Sequence, residues 1–484
     1  MNTNKEVSYN RDFSKAYGVV FLICIFYWLY LLLNTHMAIK FDAAGYEQLG
    51  EMIYKMGWLE YFKTGPNREP LYSAAVAGSM YIGDLISRPY QFIQAILQVG
   101  LLFLTQILTL LLLKKLKINH WITLFVILYL GFSPSLVNAT FSLFSEIIVI
   151  PLVPAIIYFN VLAWEAMQNK PTGWVAILGF CCALFFLLAI FAKGIFQYIF
   201  YLFLIPYLVL LVYSWFVRRR DIVLKVFIFV LIEVIMVSPS VISYKMMNSR
   251  FNGQYEFTNR FAELLYGNTV KRTNEISARI WGAHIASIPG AGVCRKFFTE
   301  QECRYCEFQQ ADDLRSSLPG LLVGVPTDQR VGTTVAYVVE RFWQKPLQYL
   351  ALTVIESLRM LFWESSQIGM VEYPQWLSNI FNANIFSDGI RFIASLLTIF
   401  ALCFVISYLF NEKGRGPVKD ERWLVLYFAV LMILGYTGLY ALFSIVTRYA
   451  LVIAPVYLLC IAFFIQNKFL PKSPAKRQYP HGMR

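Results

Sequence analysis

Charge is what this chain has least of. Asp, Glu, Lys and Arg make up only 15% of its 484 residues, against 58% apolar residues, and the mean hydropathy is +0.55. A water-soluble domain carries about 25% charged residues, so a soluble globular protein is excluded. Histidine is scarcer still, four in all, and none stands in an HExxH or related spacing. There is no glycine-rich phosphate loop, no Walker sequence and no GxSxG, so an enzyme of soluble nucleotide sugars has no support. No internal repeat or low-complexity tract occurs. The first apolar run is too long for a cleavable signal and lacks a small-residue cleavage site.

What is present are apolar runs of 18 or more residues, long enough to cross a hydrocarbon core of about 30 Å. Ten spans are expected, at about 16–35, 90–113, 121–137, 146–163, 173–192, 195–217, 222–244, 389–410, 423–442 and 449–466, within a range of 8–13. The net charge of +13 does not point to nucleic acid, because the basic residues sit in short segments flanking the spans. They are Lys5, Arg11 and Lys15; Lys114, Lys115 and Lys117; Arg218, Arg219, Arg220 and Lys225; Lys413, Arg415, Lys419 and Arg422; and the tail from Lys468 to Arg484. Ten spans put all of these, and both termini, on the cytoplasmic side, as the positive-inside rule demands. The fold class expected is therefore an all-α polytopic membrane protein in contact with membrane lipids.

Two outer segments remain, 36–89 and 245–388. They divide the chain into an N-terminal membrane module (1–244), an extracytoplasmic subdomain of mixed structure (245–388) and C-terminal spans with a basic tail (389–484). The stretch 347–363 reads as an amphipathic helix on the outer surface, anchored by Phe362 and Trp363. Cys24, Cys181, Cys182, Cys403 and Cys460 fall in spans as small apolar packers. Cys294, Cys303 and Cys306 share the second outer segment, where one disulfide with one thiol left over, or a zinc site, is conceivable.

The first outer segment holds the densest chemistry. Tyr46, Leu49, Ile53 and Met56 recur at helical spacing after Asp42, which predicts a short interfacial helix with Asp42 at its N-terminus. A carboxylate there either caps the helix or faces a substrate at the lipid–water boundary. Gly65-Pro66 turns the chain, and Pro70 holds Glu69 extended. Arg68 suits a phosphate or snorkels to headgroups.

The run Asp42-Ala43-Ala44-Gly45-Tyr46, followed by Arg68-Glu69-Pro70-Leu71-Tyr72 and Arg88-Pro89, resembles the GT-C membrane glycosyltransferases. The nearest branch is that of the protein O-mannosyltransferases and lipid A aminoarabinose transferases, which read D-(E)-x-x-Y and R-P-P-L-Y-P at this place. Ser133-Pro134 through Ser145-Glu146, Ala192-Lys193-Gly194, and Thr447-Arg448-Tyr449 with Pro455 resemble later motifs of that family in the same order. The resemblance implies a GT-C-like bundle that transfers a sugar from a polyprenyl-phosphate donor to a surface glycan, lipid or protein acceptor, with inversion. The site would face away from the cytoplasm, in a bacterial inner membrane with lipopolysaccharide among the candidate acceptors. It makes Asp42 the general base and Arg68, Lys193 and Arg448 the cations on the donor phosphate. Tyr46, Glu69, Tyr72, Glu146 and Tyr449 become substrate contacts. The chain departs from the pattern at Ala43, where a second acid is common, at Glu69, where the first proline stands, and at Lys193, where an arginine stands. With one acid of the pair missing, no metal ligand is assigned and no cofactor is required.

Each residue also has a plainer reading: Glu146 as a helix-start acid, Lys193 as a snorkelling turn lysine. Glu233 lies near the centre of the seventh span, where an unpaired charge costs about 2.5–3.5 kcal/mol. It is the residue best suited to the alternative of a transporter or flippase of lipid-linked glycans. A polymerase or ligase is a further alternative, with Arg260, Arg272, Arg279 or Arg330 as its outer-loop arginines. Gln94, Gln98 and Gln106 read as interhelical hydrogen-bond glue.

Overall fold

The structure is a computed structural model that describes residues 3–65, 68–258, 260–364, 370–411, 420–443 and 445–470. The basic residues Lys413, Arg415 and Lys419, the tail beyond 470, and Pro66 lie outside them. The chain is almost wholly helical. Its first half comprises α1 (Thr3–Asn34), α2 (Asp42–Met56), α3 (Trp58–Lys63), α4 (Pro70–Leu85), α5 (Tyr90–Lys115), α6 (His120–Phe132), α7 (Pro134–Thr140), α8 (Glu146–Asn169), α9 (Thr172–Ala192), α10 (Phe196–Phe216) and α11 (Arg220–Asn252). The second outer segment carries α12 (Phe261–Thr273), α13 (Ala278–Ala286), α14 (Ala291–Cys294), α15 (Glu300–Cys306), α16 (Phe308–Arg315), α17 (Leu318–Leu321), α18 (Arg330–Gln344), α19 (Pro346–Ser357) and α20 (Gln375–Asn382). Three helices close the chain, α21 (Asn384–Asn411), α22 (Glu421–Phe443) and α23 (Ala454–Phe469). Among the described residues nine helices are long and apolar enough to cross a bilayer, or ten if the bent pair α6–α7 is one span. This is the expected all-α polytopic membrane architecture, since a helix alone satisfies its own backbone in hydrocarbon.

Among the described residues, Lys114 and Lys115 at the end of α5, Arg218 and Arg219 between α10 and α11, and Arg422 at the start of α22 lie at one end of the bundle, and the site lies at the other. At the basic end Lys115 Nζ meets Glu165 at 2.7 Å and Glu421 at 3.6 Å, and Tyr17 hydrogen-bonds His120 at 2.9 Å. α8 lies at the centre, the most buried of the spans, as its apolar circumference requires. α6 passes close to α1: a Cβ on Gly131 would stand 2.3 Å from Cys24 Sγ, and the Gly131 carbonyl accepts from Trp28 Nε1 at 2.9 Å. Gln106 donates to the Ile127 carbonyl at 2.8 Å. Gln94 donates to Gln98 at 2.9 Å, and Gln98 donates to the Ser142 carbonyl, so these glutamines do join helices.

The α6–α7 break bends the span by 47°. Pro134 causes it, having no N–H to continue the ladder. Glu364 satisfies the groups that the break frees, accepting from Ser133 Oγ and Tyr129 Oη at 2.8 Å each and from the Ser135 N–H at 3.1 Å.

The outer segment corrects two expectations. Among its described residues it is not of mixed structure but helical, with only the two-residue strand β2 (Val371–Glu372) pairing antiparallel to β1 (His36–Met37). And Trp363 does not anchor a surface helix. It is fully buried and donates to Thr398 Oγ1 on α21 at 3.0 Å, because residues 358–364 dip into the bundle. The outward apolar face of this region is instead Trp343, Leu347, Leu350 and Val354. Cys294 and Cys303 are disulfide-bonded and Cys306 is a buried free thiol. Among the described residues no group of three metal-ligating side chains occurs.

Candidate functional site

The site forms where α2, the 193–195 turn and the start of the last span meet. Phe41 takes a left-handed φ of 52° and turns the chain so that Asp42 opens α2. Asp42 makes no cap of the kind first expected. Its Oδ1 accepts from Arg68 Nη2 at 2.6 Å, and its Oδ2 accepts from Arg448 Nη2. Burial pushes the Asp42 carboxyl up, but Arg448 and Arg68 together outweigh it and hold it below the usual carboxylate range, so it stays ionised.

Beneath this triad lies a second one. Glu146, the first residue of α8, accepts from Lys193 Nζ at 3.1 Å and stands 3.7 Å from Arg448 Nε. Burial works against the Lys193 ammonium, yet Glu146 more than compensates and keeps it protonated well above the ordinary lysine range. Lys193 is thus a paired, buried cation rather than a snorkelling one. Aromatic faces hold the cations laterally: Tyr46 under Arg68 at 5.4 Å, Phe144 under Arg448 at 4.9 Å and Tyr449 under Lys193 at 5.2 Å, contacts each of about 0.5–2 kcal/mol. Glu69, extended at φ −68° and ψ 148° as Pro70 requires, accepts from the Gly194 N–H at 2.9 Å and so fixes the Lys193 turn.

Asp42, Tyr46, Arg68, Glu69, Lys193, Arg448 and Tyr449 line one solvent-open cleft with a cavity volume of about 140 Å³. Two expected contacts do not line it. Glu146 lies behind Lys193. Tyr72 is fully buried, packs edge-on to Tyr46 at 4.8 Å and donates to Gln98 at 2.7 Å, so it supports the wall without facing the cleft. The Tyr46 hydroxyl meets Ser145 Oγ at 2.7 Å, tying α2 to the turn before Glu146.

The cleft also has a wall that the motifs did not reveal: Tyr198 of α10, Glu256, Phe257 and Arg260 after α11, and Phe443 of α22. The available signal was Glu256-Phe257 just past the seventh span, but α11 runs to Asn252 rather than 244 and carries them into the site. Of the four outer-loop arginines, only Arg260 lines this cleft. Arg272 is buried on Glu356 at 2.6 Å, Arg279 pairs with Glu302 at the surface, and Arg330 lines a neighbouring cleft with Glu263, Asp312 and Arg315. Glu233 is buried within α11, and its Oε1 has no hydrogen-bond partner among the described residues.

No protein-family model and no curated protein sequence matches this chain. The cations alternate with carboxylates, and the formal charges of Asp42, Glu69 and Glu146 cancel those of Arg68, Lys193 and Arg448. Such an array can exchange partners: a ligand anion can compete with Asp42 for its arginines.

Proposed function

We propose that this protein is a membrane glycosyltransferase that takes a sugar from a polyprenyl-phosphate donor. The observation that carries the reading is Asp42 shared between Arg68 and Arg448 in a cleft at the end of the bundle opposite Lys115 and Glu165. Two guanidinium groups, their forks suited to phosphate oxygens, stand at one mouth with Lys193 below. Phe257, Tyr198, Ile195, Leu264 and Phe443 line the same cleft and offer an apolar wall for the first isoprene units. A lipid-phosphate leaving group needs cations placed where its charge develops, and here the side chains supply them, so the reading requires no metal. The acceptor is a surface glycan, lipid or protein, attacked once with inversion. The disulfide in the outer segment favours an oxidising compartment on that side, in keeping with a bacterial inner membrane and a site facing the periplasm or exterior.

The test is reconstitution. Purified protein in vesicles is given polyprenyl-phosphate hexose or pentose, and sugar transfer is followed to glycan, lipid and peptide acceptors. Transfer that disappears in Arg448→Ala supports the reading. The buried, unpartnered Glu233 favours a transporter as the rival. Lipid movement across the vesicle without any transfer would sink the enzyme reading in its favour.

A further inference from the structure

Two carboxylates with opposite surroundings face the same cleft. Asp42 has an arginine on each oxygen. Glu256 has no ion pair within 4.0 Å among the described residues, and only the Phe257 N–H and the more distant Lys245 ammonium favour its charged form. Its backbone is nonetheless fixed, since its carbonyl accepts from Asn248 Nδ2 at 2.8 Å. The next residue, Phe257, is buried between Tyr244 at 4.6 Å and Phe191 at 5.5 Å. A general base must offer a free lone pair to the proton it removes and must be positioned before the substrate arrives. The lone pairs left on Asp42 lie between two guanidinium groups that make them poor proton acceptors, whereas Glu256 has no arginine on it and is held in place.

Resting on the glycosyl-transfer reading, we infer that Glu256, not Asp42, is the catalytic base that accepts the proton of the attacking hydroxyl, and that Asp42 is a positioning residue that aims Arg68 and Arg448. In the step, the acceptor oxygen forms a bond to the anomeric carbon while the bond from that carbon to the donor phosphate oxygen breaks. The electron pair leaves on the lipid phosphate, where the arginines meet it, and the hydroxyl proton passes to the Glu256 carboxylate and then to solvent. The charged and titratable groups around Glu256 are Lys245 of α11, Tyr198 of α10 and Arg260, with Lys193, Arg68, Arg448, Glu69, Asp42, Tyr46, Tyr440 and Tyr449 lining the rest of the cleft. Burial raises the Glu256 carboxyl, and Lys245 and the Phe257 N–H only partly oppose it, which moves it toward the range where a carboxylate is an effective base. Two carboxyls whose environments drive them apart, one held down and one raised, divide the roles between them.

The experiment is the pH profile of sugar transfer in full-length reconstituted protein. It compares wild type, Glu256→Gln, Glu256→Asp and Asp42→Asn at saturating donor. Expected for Glu256→Gln is a loss in kcat of about 100- to 10,000-fold, with the donor KM within about threefold of wild type. The fall in rate toward acid expected of wild type should vanish. Glu256→Asp, which keeps a carboxylate, should restore part of the rate and the acid limb. Asp42→Asn should keep that limb. If Glu256→Gln transfers like wild type, or keeps the acid limb while Asp42→Asn loses it, Glu256 is not the base although the enzyme reading stands. Wild-type protein that transfers no sugar would overturn both.

Discussion

Arg448 of the last span donates to Asp42 at the start of α2, a contact across 406 residues of sequence. It ties the first outer loop to the C-terminal spans, and through Arg448 Nε it reaches Glu146 at 3.7 Å as well. Arg448 is therefore the residue that joins the two carboxylate clusters. Arg448→Lys keeps the charge but loses the planar fork that reaches both acids. On the proposed function, Arg448→Ala should reduce transfer by about 100- to 1,000-fold, the scale for removing one charge-stabilising donor. Arg448→Lys should recover little of it. Steady-state transfer from a polyprenyl-phosphate sugar checks this, and full activity in the lysine variant would show that the fork is not used.

Asp42→Asn should behave differently. Removing its charge leaves Arg68 without its anion and Arg448 with only Glu146 at 3.7 Å, so the donor phosphate no longer competes with Asp42 for them. Donor KM is expected to fall, with kcat reduced less than about tenfold, far short of the 100- to 10,000-fold that loss of a general base brings. A large drop in kcat at unchanged KM would return the proton transfer to Asp42.

The Glu146–Lys193 pair tests the support beneath. Both side chains are under 10% exposed. Removing one partner strands the other charge, which costs about 3–5 kcal/mol for a buried pair. Glu146→Gln and Lys193→Met alone should each lower thermal stability in detergent. The double substitution should be milder than their sum, by the logic of a double-mutant cycle. Additive losses would mean the two charges are not coupled.

How much of this was legible beforehand follows the physics of each signal. Nine of the ten expected spans, and the bent pair α6–α7 at the place of the third, were readable because a helix in hydrocarbon satisfies its own backbone and presents an apolar surface. Asp42 at the head of α2, the extended Glu69 and the gluing role of Gln94, Gln98 and Gln106 were readable from local rules. The orientation of Trp363 was not, because an aromatic residue after an amphipathic stretch serves equally as surface anchor or core plug. Only the Glu364 contacts with the α6–α7 break decide it. Tyr72 had the right motif position but packs behind Tyr46, a matter of rotation about α4 that no motif encodes. Glu256 was missed because it belongs to no motif and depends on where α11 stops.

The disulfide makes a prediction about the outer segment. Cys294 and Cys303 close a short loop, 9 apart in sequence, whose covalent constraint is worth about 2–3 kcal/mol by chain-entropy arguments. Cys294→Ser with Cys303→Ser, or reduction, should lower the melting temperature of wild-type-like protein, and the variant should show no further loss on reduction. In folded, unreduced protein, alkylation should leave Cys306 unmodified, since it is buried. Rapid labelling of Cys306 would mean that its surroundings open.

The last prediction concerns acid. His284 is fully buried with neither ring nitrogen hydrogen-bonded among the described residues, and Lys271, Arg272, Glu356 and Arg359 surround it. Burial first, and Lys271 next, push its imidazole down to about 3, with Glu356 opposing. An unfolded histidine titrates near 6.5. Between those values the unfolded chain binds the extra proton and the folded one does not, so acidification favours unfolding. His284 thus contributes no pH-linked penalty above about 6.5 and an increasing one as pH falls from there toward about 3. His284→Leu removes the titrating group while keeping an apolar side chain of similar size. Its melting temperature should fall less steeply than wild type as pH is lowered from 6.5 to 4.5, whereas parallel curves would show that His284 is protonated inside the fold and that Glu356 carries its charge.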